Sequence, residues 1–402
     1  MTANKSGGRI AVALAFVGIM FFALGFAMGV NGALSPVLES SLGVQGWKVY
    51  AMWAATFLPF LFFGYPASMT IKAIGYKKTM ALSFAMFAVA FGLFIPAANT
   101  ASFAMFIVAS FVSGTANCFL QASVNPYVTI LGPIESAAKR ISIMGICNKL
   151  AWPIPSLFLV WVLGKSDIQI SDLPMPFMII IGVFVLLGIL ALLAPLPEVK
   201  AVGEDESDAD NCPYANSKTS VWQFPHLLLG CLALFLYVGA ETASLGTLKN
   251  YAIAMGLANP EMYTWIGPIG MIIGYICGII FIPKYISQSR AMLVCSIVAL
   301  LGTAAILVLP AEVSIWAIGL ITLGCSLMWP ALWPLAMADL GKFTKAGSSL
   351  LIMAMAGPVV LLPLLGELQR VMGIQHAMFW VCLPSFLFIL YYAVAGYKIR
   401  TK

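Results

Sequence analysis

The chain runs in long, nearly unbroken apolar stretches separated by short breaks of charge, proline or turn residues. The stretches lack the in-and-out alternation of a membrane barrel, and each is close to the roughly 20 residues that an α-helix needs to cross a bilayer. Cutting at the breaks predicts twelve helices, over 10–36, 47–70, 79–98, 102–126, 142–163, 175–196, 223–252, 262–282, 291–309, 313–337, 347–368 and 376–397. One break differs from the rest: PEVKAVGEDESDADNCPYANSK, from 197 onward, is long, polar and carries five clustered acids. It divides the helices six and six, as in transporters built from two repeats. The predicted fold is therefore an all-α membrane protein of twelve transmembrane helices in two pseudo-symmetric six-helix bundles, residues 1–196 and 223–402, joined by a linker over 197–222. A weak internal echo supports the repeat. Leu131-Gly132 precedes Ile143-Met144 at the same spacing as Leu340-Gly341 precedes Ile352-Met353, and both copies follow a proline, Pro126 or Pro334.

Composition sharpens this into an exclusion. Hydrophobic residues make up 61% and charged residues 9%, against roughly 45–50% and 25% in soluble domains, so soluble enzymes and nucleic-acid binders are ruled out. The net charge of +6 is a matter of topology. With the N-terminus inside, 16 of the 21 basic residues fall in cytoplasmic segments, which places both termini in the cytoplasm. The short N-terminal MTANKSGGRI leads directly into an apolar run without a small-residue cleavage site, so no removable signal peptide is expected. The eight cysteines contain no CxxC pair and read as packing residues, with no metal site inferred. No Ser/His/Asp set, HExxH or Walker loop occurs, so neither enzymatic chemistry nor direct ATP drive is expected.

Polar side chains at lipid depth are costly, which makes each a functional candidate. Asn117, Gln121 and Asn125 follow an i, i+4, i+8 spacing that aligns three amides on one face of the fourth helix. Amides both donate and accept hydrogen bonds, matching sugar hydroxyls, while the plainer alternative is interhelical bonding. Asn31, Asn148 and Lys149 are further deep positions. Glu241 is the one carboxylate placed well inside a predicted helix. It either exchanges a proton, pairs with Lys149, binds sodium, or braces the two halves statically. Trp152 and Trp329 are candidates to stack on a sugar ring. Prolines in MWPALWP, in WPIP at 152–155 and at Gly357-Pro358 predict bent helices, which line cavities more often than they face lipid.

Several strings resemble the fucose/proton symporter family of the major facilitator superfamily: LQASVNPYVTILGP at 120–133, ESAAKRISIMGICNK at 135–149, FLYVGAET at 235–242 and KAGSSLLIM at 345–353. VNGALSP at 30–36 together with ESAAKRISIMG at 135–145 looks most like that family's N-acetylglucosamine permease branch. The resemblance implies cation-coupled sugar uptake by alternating access, with N-acetylglucosamine or a related hexose as substrate, in a bacterial inner membrane. Another small polar carbon source such as a uronate is the alternative, and antiport or export ranks last. No cofactor is implied beyond a coupling H+ or Na+; the expected partners are a sugar and membrane lipid, and the expected state is a monomer. The substrate set is expected to be Asn31, Gln121, Asn125, Asn148, Trp152, Glu241 and Trp329, with Glu241 and Lys149 in coupling. The chain departs from the fucose permease pattern at two acidic positions, where it has Gly32 and Gln121, leaving Glu241 to hold the coupling charge. The loop MTIKAIGYKK carries Lys72 where the superfamily has an acid, so gating by that loop's usual salt bridge is not expected.

Overall fold

The computed structural model describes residues 2–130, 137–194, 196, 213–282 and 285–401. Most of the predicted linker and the Leu131-Gly132 member of the internal echo lie outside the described residues, as do Lys200, Lys284 and Lys402 of the basic set. Everything described is helical or a short connection.

The helices of the first half are α1 (Thr2–Leu42), α2 (Ala51–Phe57), α3 (Pro59–Asn99), α4 (Phe103–Ile130), α5 (Ala137–Ala151), α6 (Ile154–Leu163) and α7 (Pro174–Leu193). A one-turn α8 (Pro213–Asn216) precedes the second half. That half contains α9 (Pro225–Gly246), α10 (Leu248–Ala254), α11 (Ile266–Phe281), α12 (Gln288–Val308), α13 (Ala311–Cys325), α14 (Met328–Met337), α15 (Thr344–Ala354), α16 (Pro358–Met372) and α17 (Ile374–Val394).

Among the described residues, eleven continuous segments are long and apolar enough to span a membrane. The longest, Gly46–Asn99, has 54 residues. At about 1.5 Å per residue it is more than twice the thickness of the hydrocarbon core. It breaks at Gly75, whose φ of 83° and ψ of 167° are open to glycine but strained for other residues, so the chain turns back and crosses twice. The crossings are therefore twelve, and both described ends of the chain lie on one face, called here the terminus face.

The outer surface is apolar. On α7, Met175, Met178, Val185, Leu186, Leu192 and Leu193 are exposed, an arrangement that water would not tolerate and lipid does. Inside, one core draws only on residues between Ala13 and Leu196, and a second lies mainly in Ala215–Ala393. Phenylalanines dominate the first: Phe91 and Phe94 of α3 meet Phe184 and Phe177 of α7 with ring centroids 5.0 Å apart in each pair. Such ring pairs contribute about 0.5–1.5 kcal/mol each beyond their buried area.

Two features of the fold position the cavity described below. First, α1 and α5 approach backbone to backbone. A Cβ on Gly25 or Gly29 would collide with the carbonyl oxygen of Asn148 or Trp152, so the glycines allow the polar face of α5 to lie against α1. Second, several crossings are broken near mid-depth. The fifth breaks between α5 and α6 at Trp152-Pro153, where proline withholds its N–H, and the eleventh between α15 and α16 ahead of Pro358. The seventh breaks at Thr247, and the tenth at Ser326-Leu327, one turn before Pro330. Pro334 is accommodated inside α14.

Candidate functional site

Between the two halves lies a central cavity enclosing about 880 Å³, open solvent at its mouth included. From the first half it is lined by α1, α4 and α5, with Gln121, Asn125, Asn148, Lys149 and Trp152; from the second by Tyr237 and Glu241 of α9, Tyr275 of α11 and Trp329 of α14.

Its central feature is an ion pair. Lys149 Nζ donates to Glu241 Oε1 at 2.7 Å, and the two side chains are 10% and 11% exposed. The sequence left open whether these two residues meet; in the structure they do. Among the described residues, it is the ion pair with both partners buried. In low dielectric either charge alone would be costly, so each holds the other in place. The ammonium also lies 4.8 Å from the Trp152 ring centroid, a cation–π contact that adds to its solvation. Tyr237 and Tyr275 face the same carboxylate.

Around the pair the polar groups are fixed by bonds to one another. Asn148 Nδ2 donates to the Phe21 carbonyl at 3.1 Å, while its Oδ1 accepts from Trp152 Nε1 at 3.2 Å. The Trp152 ring stacks on Trp53, centroids 5.6 Å apart and planes 20° from parallel. Gln121 Nε2 donates to Asn117 Oδ1 at 2.6 Å, which leaves the Gln121 carbonyl oxygen for the cavity. Trp329 lies against Trp333 at 5.4 Å.

Six of the seven predicted substrate residues thus share this lining. Asn31 does not. It is 3% exposed, its Oδ1 accepts from Thr56 Oγ1 at 3.3 Å, and its carbonyl accepts from Ser35, so it serves the packing of α1 on α2 behind the cavity wall. Asn117, likewise buried, orients Gln121 from outside the lining. Sequence reasoning missed Tyr237, Tyr275, Phe57 and Met355, because aromatic and sulfur side chains inside apolar runs look like ordinary packing.

The cavity reaches from Met28 and Trp152 toward Phe21, Asn125 and Ile141, in the direction of the terminus face. At the opposite face the halves are in contact. The Trp47 backbone N–H donates to Glu367 Oε1 at 3.0 Å, Tyr50 Oη to Gln369 Oε1 at 2.8 Å, and Asn250 Nδ2 to Glu39 Oε2 at 3.2 Å.

A bundle of twelve crossings around a central cavity that holds a buried ion pair and three amides and is closed at one face is the architecture of a membrane transporter. The chain belongs to the Major Facilitator Superfamily, whose family model matches residues 15–359. It is 27% identical over 412 residues to the glucose/galactose transporter of Brucella abortus biovar 1 (strain 9-941), covering 99% of this chain and 97% of that protein. To the L-fucose-proton symporter of Escherichia coli (strain K12) it is 25% identical, over 95% of this chain and 92% of the other. A crystal structure of the transporter FucP in the outward conformation superposes with a TM-score of 0.71 at 21% identity, covering 98% of this chain and 100% of that one, which shows the fold.

Proposed function

We propose that this chain imports a neutral hexose by proton symport, using alternating access between two six-helix halves. The observation that carries the reading is the Lys149–Glu241 pair. It joins the halves across the floor of a cavity lined by amides and tryptophans, placing a titratable bridge beside the sugar site. The names of the relatives support hexose as the substrate class and the proton as the coupling ion.

Gln121, Asn125 and Asn148 supply donors and acceptors for hydroxyls, and Trp152 or Trp329 supplies an apolar face for the ring. While Glu241 is ionised, the bridge ties α5 to α9. A proton delivered to Glu241 removes the attraction and frees Lys149, so protonation and sugar together favour the rearrangement that neither drives fully alone. Each ligand shifts the equilibrium only as far as it binds one state better than the other. The excess of basic residues on terminus-side segments supports cytoplasmic termini, and on that reading the closed face is the outer one.

N-acetylglucosamine remains the substrate that VNGALSP suggests, while the relatives direct attention to glucose, galactose and fucose. Uptake of these four sugars and a uronate into proteoliposomes, with proton and sodium gradients imposed separately, tests the reading. Proton-driven accumulation of at least one hexose is expected. Accumulation of none of them, with expulsion of a hydrophobic dye, would defeat it.

A further inference from the structure

Beyond the cavity, toward the opposite face, lies a vestibule bounded by Glu39 of α1, Asp167 of the α6–α7 connection, Lys249 and Asn250 of α10, and Glu261 of the turn before α11. A small chamber separates vestibule from cavity and has room for on the order of one water. Lys249 borders both vestibule and chamber, and Trp152 borders both chamber and cavity. The three spaces therefore share walls in series, Lys249 between vestibule and chamber and Trp152 between chamber and cavity.

The chamber's lining is unusual in two respects. Lys249 is 6% exposed and forms no ion pair among the described residues; burial works against its charge, and the Glu261 carboxylate favours it from farther away. Trp53, which also borders the chamber, has its Nε1–H buried with no hydrogen-bond partner. Both groups donate and neither accepts. A coupled transporter must keep protons from reaching its coupling carboxylate without sugar, and the three vestibular acids concentrate cations at the entrance.

We infer that Lys249 is the seal against uncoupled proton entry while this face is closed. Its ammonium group repels hydronium, as cationic residues do in pores that must exclude protons. Together with Trp53 Nε1–H it also takes up the lone pairs of a chamber water, which then has none free to accept a proton from the vestibule side. The inference rests on Glu241 carrying the coupling charge, and it is tested without sugar, so the two readings can fail separately.

The full-length protein is reconstituted with a pH-sensitive dye trapped inside, and proton influx is followed after an external acid step. Lys249→Met and Lys249→Gln should each raise sugar-free influx about tenfold or more over wild type, a fold-change equivalent to about 1.4 kcal/mol. Lys249→Arg should stay tight, and Trp53→Phe, which keeps the ring and loses the N–H, should leak to an intermediate degree. The melting midpoint of each detergent-purified variant reports that it is folded, whatever the substrate. Tight Lys249→Met or Lys249→Gln vesicles made from protein with the wild-type melting midpoint would overturn the seal, as would Lys249→Arg vesicles that leak as fast as Lys249→Met. A tight Trp53→Phe variant would overturn the part given to the indole.

Discussion

Among the described residues, two lysine–carboxylate pairs of almost equal length stand in opposite settings. Lys149–Glu241 measures 2.7 Å with both side chains about nine-tenths buried, and it joins α5 to α9. Lys165–Asp172 measures 2.6 Å, but its side chains are 46% and 22% exposed and it closes a loop within the first half. Distance therefore says little about what a pair does. In the loop, water solvates either partner when the other leaves, so the pair contributes within about 1 kcal/mol. At the centre nothing replaces the lost partner, so the state of one group is imposed on the other and, through it, on the contact between the halves.

Breaking the central pair on one side should have the largest effect. Glu241→Ala or Lys149→Ala leaves a buried uncompensated charge, which costs about 3–5 kcal/mol and should lower the melting midpoint of the detergent-purified protein sharply. The double change Lys149→Met with Glu241→Leu removes both charges and fills the space. Its melting midpoint should return close to wild type while proton-driven accumulation stays absent, separating the pair's structural cost from its function. A double variant as unstable as the single ones would show that packing, not charge, sets the effect.

Next in size is the sugar side of the cavity. Gln121→Ala removes an amide that Asn117 already orients, and should raise the KM for hexose exchange by about tenfold, equivalent to about 1.4 kcal/mol, with expression unchanged. An unchanged KM would remove Gln121 from the binding surface.

The loop pair should matter least. The Lys165 ammonium first, and the Gln169 backbone N–H second, hold the Asp172 carboxyl below its usual range. A depressed carboxyl stabilises the fold above its unfolded-state range, and that contribution is lost as the pH falls through the depressed value. Asp172→Asn should thus lower the melting midpoint slightly at neutral pH and not at all in strong acid. A large effect at neutral pH would contradict the contrast between the two pairs.

The crossings could be read from the sequence because lipid demands runs of fixed length, and the bends at WPIP, MWPALWP and Gly357-Pro358 because proline chemistry is local. The break at Thr247 carried no such local signal, whereas the turn at Gly75 falls between two runs that the sequence already separates. Glu241 and Lys149 stood out singly because charge is rare at that depth. Their meeting depends on how α5 and α9 face one another, which no local pattern encodes. Asn31 looked equivalent to Gln121 in sequence and differs only by the direction it faces, toward Thr56 instead of the cavity.

The central claim is that the buried bridge couples sugar movement to a proton gradient. Its most direct test is a Glu241→Gln variant in proteoliposomes, in which labelled-hexose counterflow and gradient-driven accumulation are measured on the same vesicles. Counterflow retained near the wild-type rate, with accumulation reduced to equilibration, is the predicted result. Full accumulation driven by the proton gradient in that variant would contradict the claim.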